Sequence, residues 1–263
     1  MERNRPDVHS SSEAYAARFR GPAGRYLLDV QESCMNALVD RLGPGRYPVL
    51  DVGGGHAQIA TPLAARGHAV TVLGSDSACG ERVAGCAGVR FVVGELTDPP
   101  FADRSFDLVT CFRILPHVSA WPALLAGLCR VSAAAVIVDF PVGRSVNAFA
   151  PLLFALKKRF EGNTRPFATF TVESVASELR KHGFAVEAAV REFALPMVIH
   201  RMFDSPRLSR SLEGMARSAG VTGRFGSPVI LLARRVAGPA AVPLAALGTR
   251  RRVADIRTST ATL

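Results

Sequence analysis

Val49-Leu50-Asp51-Val52-Gly53-Gly54-Gly55-His56-Ala57 carries a short apolar strand into three consecutive glycines and then toward a helix. Glycines at such a turn let a ligand approach the backbone closely at the C-terminal edge of a sheet. Dinucleotide folds and phosphate loops share this feature, so the glycines alone leave the ligand open. Asp51 narrows the choice. A carboxylate two residues before the first glycine repels a pyrophosphate and favours a cationic ligand with an ammonium group. Gln58 also fills the last position of a G-x-G-x-x-G pattern, and no Gly-Lys-Ser/Thr follows.

Outward from this turn, short apolar runs alternate with helices. Ala69 to Leu73, Arg90 to Val93, Phe106 to Cys111 and Ala135 to Phe140 read as further strands, with helices over Gln58 to Arg66 and Trp121 to Arg130. Later come a helix from Thr171 to His182, stopped by Gly183, and strands around Phe184 to Val190 and Pro228 to Ala233. Such alternation predicts an α/β fold with a doubly wound, mostly parallel, seven-stranded sheet covered on both faces.

Before the sheet, residues 1–42 are expected to form an N-terminal helical lid. Asp7 to Glu13 is expected to be loose, and Gly21, Pro22 and Gly24 to break the helical spacing that follows. The main domain is expected to span 43–236. Segments 146–170, which hold the basic run Lys157-Lys158-Arg159, and 191–227 would be insertions on the substrate side. Residues 237–263 read as a mobile basic tail.

Two blocks, VLDVGGGHAQIA (49–60) and RFVVGELTDPPFADRSFDLVTCFRILPHV (90–118), resemble the class I S-adenosylmethionine-dependent methyltransferases. ELRKHGFAVE (178–187) resembles a later block of that family more loosely. S-adenosylmethionine carries an ammonium and a sulfonium and no phosphate, in agreement with Asp51. The resemblance implies a Rossmann-like methyltransferase fold with this cofactor and no metal. It implies that Asp51 and the backbone of Gly53, Gly54 and Gly55 hold the methionine end. Glu95, with the Leu96 amide, would meet the adenine, and Cys111 and Phe112 would line the middle of the cofactor. The chain departs from the family at three points. Its third glycine is Ala57, the acid expected for the ribose hydroxyls falls at Gly74, and Ser132-Ala133-Ala134 replaces a proline-glycine turn. Asp76, two residues past Gly74, is the candidate for the ribose.

His117, just past the fourth strand, and His200, in the excursion before the last strand, are the candidate general bases, since imidazole titrates near working pH. Each has a packing role as its competing explanation. Asp98-Pro99-Pro100-Phe101 resembles the base-gripping loop of nucleic-acid amino-methyltransferases, but it precedes the fourth strand and reads as a proline turn.

Composition sets the outer limits. The chain has 263 residues, 48% hydrophobic and 21% charged, which suits one domain with a full core and excludes wholesale disorder. Its formal charge is +10, and of 32 basic residues only Lys157, Lys158 and Lys181 are lysine. From Arg234 onward, six arginines against Asp255 supply +5 of that charge. Five cysteines without a C-x-x-C pair suit reduced thiols in a cytoplasmic protein, and no secretory or transmembrane segment is read. The expected activity is methyl transfer to an oxygen or nitrogen of a small-molecule acceptor: a metabolite, sugar or lipid intermediate. An RNA or DNA methyltransferase, suggested by the positive charge, and a non-catalytic protein of the same fold are the alternatives.

Overall fold

The computed structural model describes residues 5–143 and 168–236. Seven strands form one sheet in the order β3-β2-β1-β4-β5-β7-β6. They are β1 (Pro48–Val52), β2 (Ala69–Gly74), β3 (Val89–Val93), β4 (Phe106–Cys111), β5 (Ser132–Phe140), β6 (Phe184–Phe193) and β7 (Ser227–Arg235). The first five pair in parallel, and β7 runs antiparallel between β5 and β6. The expected doubly wound, mostly parallel sheet is therefore present.

Both faces of this sheet are apolar, as expected of strands buried on two sides. On one face Leu50, Val109 and Val138 pack with Leu124 and Leu128 of α5 (Trp121–Val131) and Leu179 of α6 (Val172–Lys181). On the other, Val49, Val72 and Ile137 meet Met35 and Leu38 of α3 (Gly21–Asp40) and Leu63 of α4 (Ala60–Ala65). Thr171 caps α6 through its side chain and Gly183 follows with φ +77°, so both ends of that helix lie where the residue types place them.

Two local expectations change, and a third, the break at Gly21 and Pro22, holds except at Gly24. Asp7 to Glu13 is not loose: α1 (Pro6–Ser10) and α2 (Glu13–Ala16) are helical, and Asp7 is fully buried. Pro6 stands in the first turn, where its missing N–H costs nothing. Gly21 and Pro22 start α3 after a 3₁₀ turn at Ala17–Phe19, and Gly24 lies inside that helix. Where a proline-glycine turn was missing, β5 begins at Ser132 directly after α5. Its register against β4 shifts between Phe106 and Leu108, and Arg235 donates to the carbonyls of Cys129 (2.6 Å) and Ser132 (2.7 Å). Asp98 to Phe101 is tied down by Arg130, which donates to the Asp98 carboxylate and the Pro99 and Phe101 carbonyls. That segment is a structural turn, as read from its position.

Between β6 and β7 lie α7 (Met197–Phe203), α8 (Pro206–Ser218) and α9 (Val221–Phe225), which make up the expected excursion. Lys157-Lys158-Arg159, most of the 146–170 insertion and the 237–263 tail lie outside the described residues. Among the described residues, no helix is long and apolar enough to cross a membrane.

Candidate active site

Asp51 lies on β1 between its neighbours Val72 and Thr110, at the C-terminal edge of the sheet. It is fully buried. One oxygen, Oδ1, accepts from Thr110 Oγ1 at 2.8 Å, and Oδ2 has no partner among the described residues. Burial, reinforced by the charge of Asp139 and opposed by the Thr110 hydrogen bond, raises its pKa to about 7. The glycine turn is shaped around this carboxylate. A Cβ on Gly54 would sit 1.9 Å from Oδ2, so only glycine lets the backbone pass there. Gly53 turns through φ +74°, and Ala57 takes the left-handed φ of +64° despite its side chain.

A second carboxylate group adjoins the first. Asp139, near the end of β5, accepts from the Arg113 backbone N–H at 2.5 Å, and burial raises its pKa to about 6. Arg113, just past β4 with φ +64°, extends its guanidinium to the side-chain oxygens of Gln58 and of Gln31 (2.6 Å for Gln31). It also lies 4.4 Å over the Phe19 ring. Glu192 on β6 is only 3% exposed. Burial and the Asp139 charge push its pKa to about 8, against the pull of Arg113 and Gln31. His56, in the glycine turn, is held neutral by burial and the nearby Arg113 charge, with its pKa down to about 3. The edge thus gathers three buried acids, two of which, Asp139 and Glu192, feel the charge of the Arg113 guanidinium.

The end of β2 is covered by α1. Asp7 accepts from the Ser75 N–H (2.6 Å) and hydroxyl (2.6 Å) and from the Cys79 thiol (3.3 Å). Ser11 Oγ lies 2.4 Å from where a Cβ on Gly55 would project. A carboxylate from the N-terminal segment, Asp7, thus lies one residue past Gly74 at the end of β2. Gly74 itself has no room for a side chain, since a Cβ would approach the Phe91 ring to 2.7 Å. Asp76 stands close by with other partners. It accepts from the Ala78 N–H at 3.0 Å as a helix cap and from Arg5 at 2.7 Å.

The remaining expected residues separate into two groups. Glu95 and Leu96 follow β3 at the same edge, Glu95 exposed with Thr97 Oγ1 donating to it at 3.1 Å and Leu96 buried. His117 ends a 3₁₀ turn after β4, also at this edge, and is half-buried. Cys111 and Phe112 are fully buried, one in the core on each face of the sheet. Burial, with the charges of Asp139, Asp51 and Asp7, raises the Cys111 thiol well above its ordinary range. His200 is only 1% exposed. It lies against Tyr26 and Phe193, with Nε2 3.2 Å from the Glu213 carboxylate. That setting explains it as a packing residue. Among the described residues, no His, Cys, Asp or Glu cluster is placed to hold a metal ion.

Sequence reasoning missed Asp7, Arg113 and Glu192. Pro6-Asp7, a proline followed by an acid, is a helix-start signal that could have found the first. The other two depend on pairing across distant strands and carry no local signal.

A family model for the methyltransferase domain matches residues 49–134. No curated protein matches in sequence. Solved structures do. Magnesium protoporphyrin IX methyltransferase from Synechocystis PCC 6803, with bound SAH, superposes with a TM-score of 0.55 at 16% identity, over 81% of this chain and 84% of that one. The same protein with bound SAM gives 0.55 at 15% identity, over 87% and 94%. The cyclase SpnF gives 0.51 at 20% identity, over 79% and 81%. Residues 49–134 thus match the methyltransferase domain, from β1 to the start of β5, and the chain carries the Rossmann-like fold of the class I S-adenosylmethionine-dependent methyltransferases.

Proposed function

We propose that this protein binds S-adenosylmethionine at the C-terminal edge of its sheet and moves the methyl group to an oxygen or nitrogen of a small-molecule acceptor. One observation carries the reading: the buried Asp51 carboxylate beside the glycine turn, with one oxygen unpartnered. A cationic amine is the partner that such a group lacks. The donor set suits the methionine end of the cofactor, an acid beside three glycines, and all four residues are buried beneath neighbouring side chains. At the ribose end α1 lies over the turn, so cofactor entry requires this helix to shift, which gives the N-terminal segment the part of a lid.

In this reading Asp51 and the Gly53 to Gly55 backbone hold the amino-acid end, and Glu95 with the Leu96 amide meets the adenine. Cys111 and Phe112 stiffen the wall beside it from the core. Asp76 and, beside it at the end of β2, Asp7 are the candidates in this reading to meet the ribose hydroxyls. The bound cofactor supplies a methyl group on a sulfonium, already a good leaving group. The chain's own task is therefore to orient the acceptor and exclude water. In the same reading His117 receives a proton from the acceptor, and Asp139 holds the Arg113 backbone at this edge. Nucleic acid is the weaker alternative, because the segment that resembles a base-gripping loop is fastened as a turn by Arg130.

Calorimetric titration with S-adenosylmethionine, with a dinucleotide as control, tests the reading. Asp51→Asn should weaken cofactor binding about ten- to a hundredfold, the value of a charge-assisted bond. Near pH 6.5 the wild type should also release part of a proton on binding, because a cation beside Asp51 lowers its raised pKa; the variant should not. Absence of binding at millimolar cofactor would overturn the reading. It would favour a protein of this fold whose site α1 keeps closed.

A further inference from the structure

Outside the glycine turn, the N-terminal helices and α7 frame a half-open cavity of about 520 Å³. That is within the size range of sites for small organic molecules. Tyr15, Phe19 and Met197 supply apolar wall, and Arg18, Arg20 and Arg201 bring three guanidiniums to it. Asp204 is the one acid in the lining, and its carboxylate accepts from the Ala23 N–H at 3.0 Å, at the start of α3. Arg20 pairs with Glu13 at 2.9 Å, but both side chains are some 70% exposed, so water screens that pair. Arg18 lies 5.3 Å over the Tyr15 ring, a contact that positions its charge without neutralising it.

The cavity adjoins the sheet edge through two shared rings, and the first, Tyr15, lies 5.9 Å from the Arg113 guanidinium. Phe19 lines it and also carries the Arg113 guanidinium at 4.4 Å, and Arg113 is fixed to Asp139 at the end of β5. Apolar walls with an excess of arginine fit a ligand with an apolar body and a negatively charged head, because the planar guanidinium pairs with such heads through two parallel bonds. We propose that this cavity binds an organic anion with an aromatic or aliphatic body. Its acceptor role rests on the methyl-transfer reading; its anion selectivity does not.

Two fluorescent probes that share an aromatic body test the selectivity without cofactor: anilinonaphthalene sulfonate and the uncharged phenylnaphthylamine. The sulfonate should bind the full chain about tenfold more tightly, as one charge-assisted contact would give. Arg18→Gln should remove most of that preference. Arg224→Gln, which deletes an exposed arginine outside the cavity, should leave it intact. Arg18 is partly exposed, so its replacement spares the core, and an unchanged thermal midpoint checks this. Equal affinity for the two probes would overturn the proposal, as would equal losses in the two variants. Loss of cofactor binding alone would instead count against methyl transfer, so the two failures are distinguishable.

Discussion

Ala57 holds a left-handed backbone at φ +64° that glycine adopts without steric cost. A side chain there costs about 1 kcal/mol, partly offset by the lower entropy of alanine in the unfolded chain. Ala57→Gly should therefore raise unfolding stability by up to about 1 kcal/mol in denaturant titration. A loss of stability would show that the Ala57 methyl contributes more packing than strain. Asp51 illustrates how far single residues can be read from sequence. Its type and spacing read as a carboxylate for a cationic ligand, and the fold adds what the sequence did not carry, full burial and one unpartnered oxygen. Arg113 disclosed nothing, because its meaning comes from Gln31, Gln58 and Asp139, which only the fold brings together.

Among the elements, α1 departs most from expectation. A polar run reads as solvent-exposed, yet Asp7 and Ser10 turn inward because the end of β2 offers donors that an acid can satisfy. Hydrogen bonds to a charged acceptor are worth about 1.5–3 kcal/mol each, so this contact anchors the segment. Asp7→Ala should raise the hydrogen-exchange rate of the Ser75 amide about tenfold or more, while amides in the middle of β4 stay protected. Unchanged exchange at Ser75 would mean that α1 docks through other contacts. All seven strands, by contrast, were legible, β1 to β4 to within a residue and β5 to β7 to within three, since apolar runs between glycine and proline punctuation have few other uses in a domain of this size. The largest early start is that of β5, three residues ahead at Ser132, where Arg235 of β7 holds the backbone in place of a turn.

For the molecule as a whole, charge divides between surface and interior. Part of the +5 assigned to the end of the chain belongs to the sheet, because Arg234 and Arg235 lie in β7. Arg234 pairs with Glu187 at 2.6 Å, and Arg235 lies over Phe184. Inside, Asp51 and Glu192 titrate at about 7 and 8 in the folded protein, well above their ordinary range. A raised acid binds more protons folded than unfolded, so its contribution to stability is lost as pH rises toward its folded pKa. His56 and His68, both shifted down, act in the opposite sense only below about pH 6.5, where their unfolded forms take up protons. Between about pH 6.5 and 8 the ligand-free protein should therefore lose on the order of 1–3 kcal/mol in denaturant unfolding. Glu192→Gln and Asp51→Asn should each flatten that decline. A flat wild-type profile would show that these acids are solvated.

The β6–β7 hairpin adds a different property. Phe193 and Ser227, the last residue before the excursion and the first after it, face each other in register. Neighbouring strands lie about 5 Å apart, so α7 to α9 leave and rejoin the sheet at nearly one point. A segment hung from such a clasp can be exchanged for another without moving the strands beneath it. The excursion, which provides one wall of the arginine-rich cavity, can thus differ in length without altering the register of β6 and β7.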